Sequence, residues 1–253
     1  MIALLLIGCI DYSIQNPASE TIDPIEDTAA ELVPIADAPV YANTSESLFE
    51  VEPTTGDTVW VGLFQNEFGP IDKFVDIAIN MDGIMYGGTY DALYLIDPTT
   101  AHVDKICNTS VDMMALAFTF DGVLVAGGAE TIVTIDLNTC QTALLIDSSG
   151  YFETSGDLVG LPDGFLYWTV RGEDDEGDEL VRLDPTTGMW AWVGKIGVDR
   201  LYGLGYHHGT LYGFNSDGEI ASISPSTGQA DILAADSSIS WWGATTNPVS
   251  WGE

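Results

Sequence analysis

Short runs of alternating apolar and polar residues recur along this chain, always in the same company. LFEV, LYLI, IVTI, LVRL and IASI each lead into a turn: VEPTTG (51–56), IDPTTA (96–101), IDLNTC (135–140), RLDPTTG (182–188) and ISPSTG (223–228). TVWVG, VDKIC, ALLI, WAWVG and ADILA follow those turns. Period-two alternation marks half-buried strands, and two such runs around a short turn predict a hairpin. The turn letters have a shared reason. Asp or Ser accepts hydrogen bonds from the backbone just ahead, Pro presets φ, and a late Gly tolerates positive φ.

A second repeated signal lies about fifteen residues upstream of each turn. GIMYGG, GVLVAGG, GFLYWTV and GTLYGF, with APVYAN as a looser match, follow the apolar runs DIAINMD, ALAFTFD, DLVGLPD and YGLGYHH. Each unit therefore holds four short strands, A to D, repeating every 39 to 48 residues. Antiparallel four-stranded units at that period predict propeller blades. The first unit, from about Ala38, lacks strand A, while SWWGATTN (240–247) is an orphan strand near the C-terminus. Pairing the two closes the ring and removes its exposed edges. Residues 39–253, divided into five blades, give 43 residues each. The expected fold is all-β, a five-bladed β-propeller.

Charge narrows the partners. With 39 acids against 6 bases, the net charge is −33. That field opposes nucleic-acid backbones and anionic lipid, and leaves cations, basic proteins or neutral ligands such as sugars. At the N-terminus, MIALLLIGCIDYSIQ holds about ten apolar residues, too few for a bilayer-spanning helix. LIGC (6–9) resembles the bacterial lipobox, although no Lys or Arg precedes the apolar run. That resemblance implies a signal peptide over 1–9, lipidation of Cys9, and a cell-envelope location through a lipid anchor. The acidic, proline-bearing segment 10–38 is expected to be a disordered tether.

The chemistry-bearing residues form several groups. RGEDDEGDE (171–179) is the longest B-to-C loop, and Glu173, Asp174, Asp175, Asp178 and Glu179 offer hard oxygen ligands suited to Ca²⁺, although not at EF-hand spacing. Counting back seven residues from each B-strand glycine aligns Asp76, Ala115, Asp157 and Tyr202 on the channel-lining strand A. Asp76 and Asp157 could act as acid and base at the channel mouth, the arrangement of propeller glycosidases and lactonases. Structural capping is the alternative. Trp190 and Trp192 share one face of strand D, while Trp241 and Trp242 sit on the closing strand; inter-blade packing is expected, with sugar stacking as the alternative. The histidines fall in turns. Cys107 ends strand D of blade 2 and Cys140 lies in a turn of blade 3. That placement puts them on opposite faces, so two separate buried thiols are expected.

EPTTGDTVW (52–60) and DPTTGMWAW (184–192) resemble the tryptophan-docking repeat of quinoprotein dehydrogenases, but only two of the five blades carry the Trp and no quinone ligands accompany them. More broadly, residues 39–253 resemble bacterial exported propellers of the quinoprotein-like, SMP-30-like and NHL-like kind. The expected function is a monomeric, surface-anchored binding or scaffolding module for protein or glycan on the face bearing the 171–179 loop. A Ca²⁺-assisted hydrolase or lyase acting through Asp76 and Asp157 is the alternative. No organic cofactor is expected.

Overall fold

A computed structural model describes residues 33–111, 113–172 and 177–252. The signal segment, Cys9, most of the tether, and Glu173, Asp174 and Asp175 lie outside the described residues.

The described chain is all β apart from one 3₁₀ turn at Pro248–Gly252. Blade 1 comprises β1 (Val40–Asn43), β2 (Ser47–Glu52) and β3 (Asp57–Leu63), with a small hairpin β4 (Gln65–Asn66) and β5 (Gly69–Pro70) leading onward. Blade 2 is β6 (Asp76–Ile79), β7 (Met85–Gly88), β8 (Ala92–Ile96) and β9 (Val103–Asn108). Blade 3 is β10 (Ala115–Phe118), β11 (Leu124–Gly127), β12 (Thr131–Ile135) and β13 (Thr142–Asp147). Blade 4 is β14 (Thr154–Gly160), β15 (Leu166–Val170), β16 (Glu179–Leu183) and β17 (Trp190–Lys195). Blade 5 is β18 (Leu201–His207), β19 (Thr210–Asn215), β20 (Glu219–Ile223) and β21 (Ala230–Ala235). The last strand, β22 (Gly243–Thr246), returns to pair antiparallel with β1, from Val40 opposite Thr246 to Asn43 opposite Gly243. Blade 1 is thus completed by a strand from the far end of the chain, as its missing first strand predicts.

The recurrent turn does what its letters imply. The backbone N–H of Thr99, Asn138 and Thr186 each donates to the carboxylate two residues earlier, Asp97, Asp136 and Asp184, at 2.8 Å. The fifth turn position has positive φ in every blade, as at Gly56 (75°) and Gly188 (70°). Ala101 and Cys140 adopt it at 59° and 56° without the freedom of glycine.

The apolar cores lie between blades rather than within them. Five clusters fill the five junctions. Phe64 and Phe74 stack at 4.1 Å between blades 1 and 2, and Trp168 is enclosed between blades 3 and 4. Trp241 sits between blades 5 and 1 with its ring edge against Phe49 (5.2 Å) and Phe214 (5.7 Å). Inter-blade packing therefore holds for Trp241. It does not describe Trp190 and Trp192, which remain 43% and 53% exposed on the outermost strand of blade 4. Trp190 packs on Tyr151 and Phe152, and Trp192 Nε1 donates to Glu179 at 3.0 Å.

One expectation is overturned. Cys107 and Cys140 form a disulfide, with Cα atoms 6.4 Å apart. Opposite-face placement leaves out the twist of the sheet. Adjacent strands rotate by about 20–25°, so across three steps strand D swings by about 60–75° and its end aims at the next blade's turn. The same meeting recurs elsewhere on the rim. A Cβ on Gly62 of β3 would lie 2.7 Å from the Thr100 carbonyl in the next blade's turn. A Cβ on Gly194 of β17 would collide with the Thr227 carbonyl, and one on Gly56 would fall 2.6 Å from Ala234 Cβ. Gly62, Cys107, Gly194 and Ala234 occupy equivalent positions just past the bulge of strand D. Three other junctions place small residues in close contact here, the blade 3–4 junction has Ile146 at the equivalent position, and blades 2 and 3 are joined covalently.

Candidate functional site

At the axis, one position per blade faces inward. The strand registers align Asp76, Ala115, Asp157, Gly203 and Gly243 there. Blade 5 contributes Gly203 rather than Tyr202, because a bulge between Leu201 and Gly203 shifts the count by one. Two carboxylates and three small residues therefore share the ring, and the small ones are required. A Cβ on Gly243 would meet Asp76 Oδ1 and come within 2.6 Å of Asn43 Oδ1.

Asp76 and Asp157 are 1% and 0% exposed. Asp76 accepts from its neighbour Ile77 N at 2.8 Å and from Leu116 N of blade 3 at 2.5 Å. Asp157 accepts from Leu158 N and from Leu204 N of blade 5, both at 2.5 Å, and from Ala244 N of the strand closing blade 1. The two side chains also hydrogen-bond to one another. Every blade thus donates to, or supplies, this pair. Burial, then the charge of Asp157 and their shared hydrogen bond, holds the Asp76 carboxyl well above the usual range. Burial raises Asp157 to about 7, against the lowering pull of that hydrogen bond and the backbone N–H groups. The arrangement is an acid pair sharing a proton, with Asp76 as donor. Asn43 Oδ1, also buried, has no hydrogen-bond partner beside it.

Above the pair lies the open mouth. Two adjoining concavities of about 290 and 320 Å³ share Ser155, Arg171 and Tyr202 and so form one trough. Tyr90 and Met114 line one end with Trp242, and Asp199 and Arg200 line the other. Arg171 pairs with Glu153 at 3.4 Å and Arg200 with Asp217. Of the acidic-loop residues that are described, Asp178 and Glu179 diverge. Asp178 is buried, accepts from Leu201 N at 2.8 Å and from Ser155, and is raised above its ordinary value by burial. Glu179 turns outward to Trp192. Among the described residues no cluster of three or more His, Cys, Asp or Glu side chains is placed to hold a metal, and no helix is long and apolar enough to cross a membrane.

The trough's aromatics were not singled out together from sequence, since Tyr90, Tyr202 and Trp242 come from three different blades. The signal was present only in the repeat: Tyr90 lies two residues after β7, Tyr202 is the second residue of β18, and Trp242 immediately precedes β22.

The chain is a five-bladed β-propeller of four-stranded antiparallel blades. No family model matches it, and no curated protein matches it in sequence. Solved structures share the fold. A chain of the nidogen/laminin complex aligns with TM-score 0.52 at 11% identity, over 83% of this chain and 98% of that one. A protein of unknown function from Bacteroides thetaiotaomicron aligns with TM-score 0.52 at 13% identity, over 87% and 62%. A gluconolactonase from Xanthomonas campestris aligns with TM-score 0.49 at 17% identity, over 79% and 74%. Among further matches the chain spans as little as 49% of the neighbour's length.

Proposed function

We propose that this chain is an exported, lipid-anchored binding or scaffolding propeller that engages protein or glycan through its mouth face and performs no chemistry on it. One observation carries the reading: the two carboxylates best suited to acid–base work are sealed from solvent and committed to backbone N–H groups of all five blades. A general acid or base must reach the proton it transfers, within hydrogen-bond distance or through one water. Asp76 and Asp157 reach each other instead. The trough above them is open, with an aromatic and polar lining, which suits recognition. The Cys107–Cys140 disulfide is the chemistry of an oxidising compartment and supports export.

The test is turnover. Lactone and glycoside panels, with and without CaCl₂, are expected to give no hydrolysis above background. Hydrolysis that disappears in a folded Asp157→Asn variant would replace this reading with the hydrolase or lyase one. The anchor has its own check: Cys9→Ser should move the protein from the membrane to the soluble fraction, and unchanged fractionation removes the lipid from the proposal.

A further inference from the structure

Building on the binding reading, we infer that the mouth trough is a carbohydrate subsite for an uncharged sugar ring, stacked on Tyr202 and Trp242 and hydrogen-bonded by Arg171 and Ser155. Three features of the trough converge on that chemistry.

Its charge is the first. In a chain of net charge −33, the trough holds two of the three arginines, Arg171 and Arg200, beside Asp178 and Asp199. Both guanidinium groups already face carboxylates, Glu153 and Asp217. No bare positive charge remains to hold a phosphate, sulfate or uronate, and the carboxylate of Asp178 is buried and held by Leu201 N and Ser155 rather than presented to a ligand. An anionic ligand is disfavoured in such a site, as it is by the acidity of the whole protein.

The second is its mixed lining. Trp242, Tyr202, Tyr90 and Met114 supply an apolar and aromatic lining, while Arg171, Ser155 and Asp199 supply donors and acceptors. A pyranose has the matching chemistry, one face of C–H groups and a rim of hydroxyls. Stacking of C–H faces on aromatic rings and hydroxyl contacts to planar guanidinium and carboxylate groups use both kinds of lining at once. A lipid tail would leave the polar groups unpaired.

The third is rigidity at the rim. Arg200 holds a left-handed backbone at φ 57°, as does Lys73 at 70° on the adjoining rim, although neither is glycine. Non-glycine residues in this region are costly and gather where a side chain must be aimed. The floor is equally fixed: a Cβ on Gly156 would lie 2.6 Å from Tyr202 Cα, so blades 4 and 5 close tightly beneath the trough. A lining drawn from five blades over a fixed floor makes a preformed site.

The experiment uses the full chain on an array of neutral, uronate-containing and sulfated oligosaccharides, followed by tryptophan-fluorescence titration of the best neutral binder. Neutral oligosaccharides are expected to bind and to change the Trp fluorescence. Tyr202→Leu and Trp242→Leu, which retain apolar volume, should each weaken binding at least tenfold with the melting temperature unchanged; Tyr202→Phe should retain it. Three results overturn the inference: binding of anionic glycans in preference to neutral ones, neutral binding untouched by either leucine variant, or no glycan binding, whether or not a protein partner is captured through this face. The last leaves the binding reading standing. Turnover of the bound sugar would sink the binding reading and leave the subsite intact. If either leucine variant unfolds, Tyr90→Leu, at the exposed end of the trough, supplies the same comparison.

Discussion

The axis and the rim of this propeller solve the same problem with opposite materials. Both must join five similar blades without gaps. At the axis, two buried carboxylates collect N–H donors from neighbouring blades, and alanine and glycine at the three equivalent positions make room for them. At the rim, small residues at the end of strand D sit on the next blade's turn at three junctions, Ile146 takes that position in blade 3, and at the blade 2–3 junction a disulfide replaces the contact. Few polar groups of high consequence hold the centre; many weak contacts and one covalent bond hold the edge. Near-identical repeats therefore need not contribute identical residues at each interface, because each ring of equivalent positions has to fit as a set.

This contrast can be broken from either side. The largest effect is expected at the axis. Asp157→Ala leaves the Leu204 and Ala244 N–H groups buried without acceptors and strands Asp76, costing about 3–5 kcal/mol; urea denaturation of variant and parent measures it. Removing the disulfide as Cys107→Ala/Cys140→Ala should cost about 2–4 kcal/mol, with alanine tolerated at 140 because Ala101 already occupies the equivalent left-handed position. A loss equal to that of Asp157→Ala would show that the rim is no weaker than the axis. Gly194→Ala pushes a Cβ onto the Thr227 carbonyl and should cost about 1–3 kcal/mol, with Gly122→Ala, where nothing lies within 4 Å, separating backbone strain from crowding.

The smallest effect per step is a pH slope. Asp157 titrates at about 7 when folded and near 3.8 when unfolded, so between those values the folded state holds the extra proton. Stability from this pair is present in full below about pH 4 and declines as pH rises through 7, by at most about 1.4 kcal/mol per pH unit for one proton. His207, lowered by burial, acts in the opposite sense over part of that window. Subtracting the melting-temperature profile of Asp157→Asn from that of the parent isolates the axial contribution. A flat difference would mean that Asp157 takes up no extra proton in the folded state between about pH 4 and 7.

Much of the architecture was legible because the turns are local. Asp97, Asp136 and Asp184 cap their own turns, so the repeat declares itself without tertiary information, and the missing first strand of blade 1 points directly to 243–246. What strand counting missed is geometric. A bulge in β18 moved the inward position from Tyr202 to Gly203. The accumulated twist that carries Cys107 to Cys140 belongs to the whole sheet rather than to any residue, yet aligning Cys107 with Gly62, Gly194 and Ala234 would have revealed a contact position. Burial of Asp76 and Asp157 was equally hidden. Sequence spacing places them on the channel strand, but only the glycines opposite show that the channel closes around them.

The pairing of β22 with β1 sets an order of events. Until residues 243–246 are available, β1 has an unpaired inner edge, and Asp157 lacks the Ala244 donor. Closing that gap brings together strands some two hundred residues apart, a contact of high sequence separation that slows folding. The clasp is therefore the final stitch: the ring becomes a ring only when the last strand reaches back to the first blade.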